Sequence, residues 1–141
     1  MSAIPTYALY GEQGYDSSPD WLHWETVLSR SRLHGFHIAP HRHEQFFQIL
    51  HLTGGTAEVT MDNIIERVAP PAVIAIPALP VHGYVFSPDV EGVVVTLFER
   101  DVREALAPAP EVDTCLRRPH ILHGPSDEIA QVGREIAALI A

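Results

Sequence analysis

The chain contains no lysine, and its nine basic residues, all arginine, stand against eighteen aspartates and glutamates. A formal charge of −9 and a sequence pI near 5.3 repel phosphate backbones, which excludes this segment as a grip on DNA or RNA. Cysteine occurs once, at Cys115, so no intramolecular disulfide can form and nothing asks for an oxidising compartment. A small buried hydrophobe or an incidental surface thiol are the two ordinary readings of that residue. Long apolar runs are missing too. The longest, from 69 to 81, is interrupted by four prolines, and the opening MSAIPTYALYGEQ has no basic segment ahead of an apolar one. Neither a membrane-spanning helix nor a secretory signal is predicted, and the expectation is a soluble, cytoplasmic protein with no membrane partner.

What is present suffices for one domain. With 141 residues, 46% of them hydrophobic, the chain can build one real core, and disorder of the whole is excluded. The compositional oddity is nine histidines, several of them close together in sequence. Chemistry is sought there first.

Along the chain, residues 1–20 carry Pro5, Gly11, Gly14 and Pro19 among scattered tyrosines, which predicts an extended arm with a short strand around 6–10. The stretch 21–33 fits both a period of two and a helical face and is read as strand. Segments 46–52 and 56–61 flank the Gly54-Gly55 turn, Asp62-Asn63 makes the next turn, and 72–77, 83–86 and 92–98 follow as short apolar runs bounded by Pro, Gly or Asp. Short strands with no helix between them predict an antiparallel sandwich or barrel. Beyond Glu99 the pattern changes. A short helix is predicted over 100–107, an irregular Pro-rich connection over 108–125, and a helix capped by Ser126 whose stripe is Ile129, Val132, Gly133, Ile136 and Ile140. No stop signal precedes Ala141, which leads to the expectation that the natural protein continues.

The central segment reads Gly35-Phe-His-Ile-Ala-Pro-His41-Arg-His43-Glu-Gln-Phe-Phe-Gln48, with Gly55 after it. On a strand His41 and His43 share a face, roughly 7 Å apart along the backbone, so both imidazoles can converge on one ion or ligand group. Gln48 can bring a carbonyl oxygen to the same point, and the segment from Pro71 through Pro77 to His82 supplies a third imidazole.

These residues resemble the cupin superfamily, whose first motif is G-x5-H-x-H-x3,4-E-x6-G. Gly35, His41, His43 and Gly55 match it at its own spacing, with Gln48 where the family has Glu. Pro77 and His82 match the second motif, G-x5-P-x-G-x-x-H-x3-N, while Pro71, Leu79 and Phe86 replace its glycines and asparagine. The implied fold is all-β, a cupin (jelly-roll, double-stranded β-helix) barrel over 1–124 with a short helix, followed over 125–141 by the start of a C-terminal linker or dimerisation helix. The resemblance implies His41, His43, His82 and Gln48 as ligands of a divalent transition metal, Zn, Fe or Ni. An amide in place of carboxylate leaves such a site one charge more positive. The alternative is a relic cluster, its histidines hydrogen-bonded to each other, to water or to an organic ligand.

A second resemblance covers nearly the whole chain through TYALYGE, WLHWETVLSRSRLH, PHRHEQFFQIL, GGTAEVT and PAVIAIPALPVHGYVFSPDVEGVVVTL. These segments are similar to the N-terminal half of AraC/XylS-type transcription regulators of the PobR and HpaA kind. That implies a sensor of hydroxylated aromatic acids such as 4-hydroxybenzoate or 4-hydroxyphenylacetate, not an enzyme. It also implies a homodimer in the full-length protein, and contact with DNA only through a C-terminal half outside this sequence. If the ligand is an aromatic acid, Trp24, Phe46, Tyr84 and Phe86 are the candidate walls, and Arg32 or the metal the partner of its carboxylate. Plain core packing is the competing reading of these aromatics. The alternative function is a small metal-dependent cupin enzyme, a dioxygenase or isomerase, using the same histidines.

Overall fold

A computed structural model of the chain describes residues 6–7, 22–32, 35–43 and 45–141; the side chains of residues 6, 7, 30–32, 41 and 43 lie outside that description. Strands dominate. In chain order they are β1 (Thr6–Tyr7), β2 (Leu22–Thr26), β3 (His37–His43), β4 (Phe46–Gly54), β5 (Ala57–Met61), β6 (Ile64–Val68), β7 (Ala72–Ile76), β8 (His82–Phe86), β9 (Glu91–Phe98) and β10 (His120–His123). The helices are α1 (Val27–Arg32), α2 (Glu99–Leu106), α3 (Pro110–Cys115) and α4 (Asp127–Ile140).

The strands form two five-stranded sheets, ordered β1-β3-β8-β5-β6 and β10-β7-β4-β9-β2. All pairs among the described residues are antiparallel except β1 with β3. Alternation decides which residues meet between the sheets. From β4 come Phe46, Leu50 and Leu52, from β7 Ala72, Ile74 and Ile76, and from β5 and β8 Ala57, Val59, Tyr84 and Phe86, all in one continuous core. Leu52, Val59 and Ile74 have no exposed surface at all. The Asp62-Asn63 turn adopts φ of 48° and 71°, the paired left-handed conformation that a tight hairpin between twisted strands requires.

The outer face of the second sheet carries α4. Ser126 caps this helix by accepting a hydrogen bond on Oγ from Ile129 N at 3.1 Å, as its position ahead of Asp127 and Glu128 predicts. Ile129 and Ile136 are its buried residues. Gly133 lies over the His51 ring so closely that a Cβ there would stand 2.7 Å from His51 Cε1. His51 alternates with the core residues of β4 and therefore points outward, opposite Val73 of β7. Burial under the helix pushes its imidazole below the ordinary value of 6.5.

Three readings of the sequence change here. Segment 21–33 is both things its ambiguous pattern allowed, a strand to Thr26 and a helix from Val27, with Ser29 N donating to Thr26 Oγ1 at 3.0 Å across the switch. The connection 108–125 is not irregular throughout: Pro110 opens α3 at its first turn, where a missing N–H is harmless, and β10 extends the second sheet. Strand β6, with Ile64 and Ile65 both more than half exposed, shows no alternation to betray it. Cys115 is exposed, a surface thiol.

In an exposed helix interior Gly→Ala gains about 1 kcal/mol. Gly133→Ala is expected to lose that gain against the His51 ring and to recover it in a His51→Ala background, a coupling that urea unfolding of the four proteins would measure. His51 also makes stability pH-dependent. Its folded-state pKa is depressed, so below the ordinary value of 6.5 the unfolded chain takes up a proton that the folded chain refuses. Stability is expected to fall as pH drops from there and to level off below the folded-state value; melting curves of the wild type should show this component and those of His51→Ala should lack it.

Candidate functional site

The site is built on β3, β8 and β4. Strand β8 turns His82, Tyr84 and Phe86 to the interior as residues i, i+2 and i+4. His82 is 1% exposed, and its ring meets Tyr84 edge-on at 6.0 Å between centroids, while Tyr84 stacks on Phe86 at 5.1 Å. The register sets His41 of β3 directly opposite His82, after a shift between Ile38 and His41. Two of the three motif histidines are therefore backbone neighbours across one strand pair. His43 lies two residues further along β3, opposite Tyr7 of β1. The side chains of His41 and His43 are outside the described residues, and among the described residues no three His, Cys, Asp or Glu side chains form a metal-sized group.

The shift in β3 depends on a residue that alternation alone does not single out. At Gly83 an added Cβ would lie 2.7 Å from Ile38 O and 2.9 Å from Pro40 N. Only a residue without a side chain lets β3 cross β8 at that height, and this crossing puts His41 opposite His82.

The tautomer of His82 follows from one contact. Nδ1 lies 3.0 Å from the carbonyl oxygen of Pro80, an acceptor with no proton to give, so Nδ1 must carry the hydrogen and donate it. In the neutral ring this puts the lone pair on the buried Nε2, the state in which a histidine accepts a hydrogen bond or binds a cation. Gln48 sits in the other sheet, 8% exposed, on the inner face of β4. Its Nε2 donates to Thr96 Oγ1 at 3.2 Å, across the strand pair in which the two residues are register partners. With the amide in this orientation the carbonyl oxygen is the end able to face a cation. The imidazole nitrogen of His82 fits the implied Zn, Fe or Ni, to which the amide oxygen of Gln48 would add only a weaker, neutral donor.

The proposed ligand walls are placed in three ways. Phe46 and Phe98 are paired across β4 and β9 with centroids 5.5 Å apart, and Phe46, Tyr84 and Phe86 all belong to the common core. Phe86 also lines a groove of about 590 Å³ at the end of β8 away from His82, together with Ala57, Val68, Arg67 and His123. Trp24 is placed elsewhere than expected. His23 pairs with Thr96 and Trp24 with Val95, so Trp24 has the outward parity and is 42% exposed. Arg32 belongs to α1, and its side chain is outside the described residues.

No family model and no curated protein matches this sequence. Among solved structures, ToxT from Vibrio cholerae aligns with a TM-score of 0.53 over 83% of this chain and 48% of its own, at 10% identity. KdgF from a Halomonas species is 29% identical over 46% of this chain and 61% of its own, with a TM-score of 0.42. The barrel is a cupin fold. Its two facing sheets with the histidine strands paired are the architecture that the motif residues imply, and the ToxT likeness extends it over most of the chain. The chain spans about half the length of ToxT, an AraC-family regulator. KdgF is a cupin enzyme and ToxT is not one, and the expectation that the chain is not an enzyme is withdrawn.

Gly83→Ala is expected to destabilise the cupin barrel by about 1–3 kcal/mol, the usual range for forcing a methyl into filled space. Urea denaturation measures this; an unchanged midpoint would show that β3 can give way above β8.

Proposed function

We propose that this cupin barrel is the effector-sensing domain of an AraC-type regulator, taking a hydroxylated aromatic acid such as 4-hydroxybenzoate or 4-hydroxyphenylacetate. The observation that carries the reading is His82: a fully buried imidazole, its tautomer imposed by Pro80, presented beside a row of aromatic rings inside a barrel that shares its fold with ToxT. An aromatic acid has the two features such a place selects, a flat apolar ring for Tyr84 and Phe46 and polar groups for a fixed nitrogen. His82, His41, His43 and Gln48 would hold the divalent metal, which when bound supplies the positive charge that a carboxylate requires. DNA would be met only through a further C-terminal half, as a homodimer, since the segment described here is acidic. Ligand would act by binding two arrangements of the barrel and its helices unequally.

A second reading, a small metal-dependent cupin enzyme, draws on the 29% identity to KdgF. One experiment separates the two. In the sensing reading 4-hydroxybenzoate raises the melting temperature and is recovered intact, the stabilisation reaching about 2.7 kcal/mol at a hundred times Kd. His82→Ala should lower metal content and acid affinity together. Oxygen uptake with loss of the acid would assign the barrel to catalysis, and unchanged acid binding by His82→Ala would detach the histidines from recognition.

A further inference from the structure

The ring of His82 is held by a carbonyl, and that carbonyl sits in a loop with little reason of its own to keep its shape. Residues 77–81 join β7 to β8, and Leu79 within them has φ of 89°, a conformation that costs a branched L-residue of order 1–3 kcal/mol and persists only where the surroundings impose it. The Leu79 side chain is 58% exposed, so packing is not what imposes it. Hydrogen bonds do so from two sides. Asp62, in the β5–β6 turn, accepts from Val81 N on Oδ1 at 3.2 Å and donates its own N–H to Val81 O at 2.9 Å. On the other side Glu99, the first residue of α2, accepts from Ala78 N on Oε2 at 3.1 Å.

Glu99 is itself anchored. Its Oε1 receives Arg103 Nη2 at 2.6 Å and Nε at 2.9 Å, and the same guanidinium reaches α3 through Asp113 Oδ1 at 2.8 Å and the carbonyl of Leu116 at 2.9 Å. Both charged groups are about four-fifths buried, where a charge-assisted bond is short and directional. One carboxylate thus uses one oxygen for the helix pair and the other for the loop that carries the acceptor of His82.

We infer that Glu99 is a positioning residue for His82: it fixes the 77–81 loop, hence the Pro80 carbonyl, hence the tautomer and orientation in which Nε2 faces its ligand. This deepens the reading of His82 as a ligand-facing group and rests on it. Residues that hold a metal-binding histidine through its second nitrogen change affinity by 10-fold to 100-fold when lost, and Glu99 acts one hydrogen bond further out, through the loop backbone.

The test uses the whole chain, ¹⁵N-labelled and metal-free, at a pH above the ordinary imidazole range. Long-range proton–nitrogen spectra read which nitrogen of His82 carries the hydrogen, and Ni²⁺ titration reads affinity. The wild type is expected to show Nδ1–H alone. Glu99→Ala should show both tautomers and bind Ni²⁺ about tenfold more weakly, at the lower end of that range. Glu99→Gln keeps an acceptor oxygen for Ala78 and should restore the single tautomer, while Glu58→Ala, which removes an equal charge from the outer face, should change neither readout. If Glu99→Ala does not fold, Glu99→Asp keeps the charge but shortens the reach, with the same direction expected. A pure Nδ1–H tautomer and full Ni²⁺ affinity in a folded Glu99→Ala or Glu99→Asp with a lowered Tm would overturn the proposal, leaving Glu99 a structural residue only. If the wild type binds no Ni²⁺, the metal reading fails, and the tautomer still decides the role of Glu99.

Discussion

Strand β4 runs through the middle of its sheet, bonded to β7 on one side and β9 on the other, and the inward half of its residues is buried by the facing sheet. Every backbone donor and acceptor along such a strand must be satisfied within the ladder, because water does not reach it. Its register therefore has no freedom. Gln48 faces Thr96 because that register is fixed, and the same pairing aligns Phe46 with Phe98 and Leu50 with Val94. The interior is the sum of such rows, and the candidate site is one of them in which polar atoms replace methyls.

Placing polar groups in a core is costly unless each finds a partner. The amide of Gln48 finds the Thr96 hydroxyl, and the Nδ1 of His82 finds the Pro80 carbonyl. Both arrangements spend one polar end of the side chain on the protein and orient the other. A rigid scaffold around a few aimed atoms is what a binding site needs, since little is then lost in ordering it when a ligand arrives. Strain concentrates at the same place: Leu79 holds a left-handed conformation at the position where the cupin motif has glycine.

Much of this was legible in the residues. Alternation over β4, β5, β7, β8 and β9, broken by Gly54-Gly55 and Asp62-Asn63, is enough to predict a barrel, because a period of two buries one face and turns mark where it stops. Ser126 ahead of two acidic residues announces α4 for equally local reasons. Strand β6 and strand β10 were not legible. Each lies at a sheet edge, where one side of the ladder is open and the side chains owe nothing to a second neighbour, so their composition carries no periodic signal. At the candidate site the motif spacing singles out His82 and Gln48, whereas Gly83, Thr96 and Glu99 act through backbone crossings and contacts between residues distant in sequence. Trp24, a candidate on its aromatic ring and not on a parity count, is sent to the opposite surface by its register with Val95.

That sensitivity bears on how the chain can vary over time. Strand β4 serves two clients at once, with Gln48 on one side and His51, under Gly133 of α4, on the other. An insertion or deletion of a single residue between them would turn both to one surface, either burying an imidazole among methyls or offering an amide to the helix. Changes of length in this strand are tolerable only in pairs, or beyond its ends at the Gly54-Gly55 turn, so descendants of this sequence should keep the spacing from Gln48 to His51 even where the residues themselves drift.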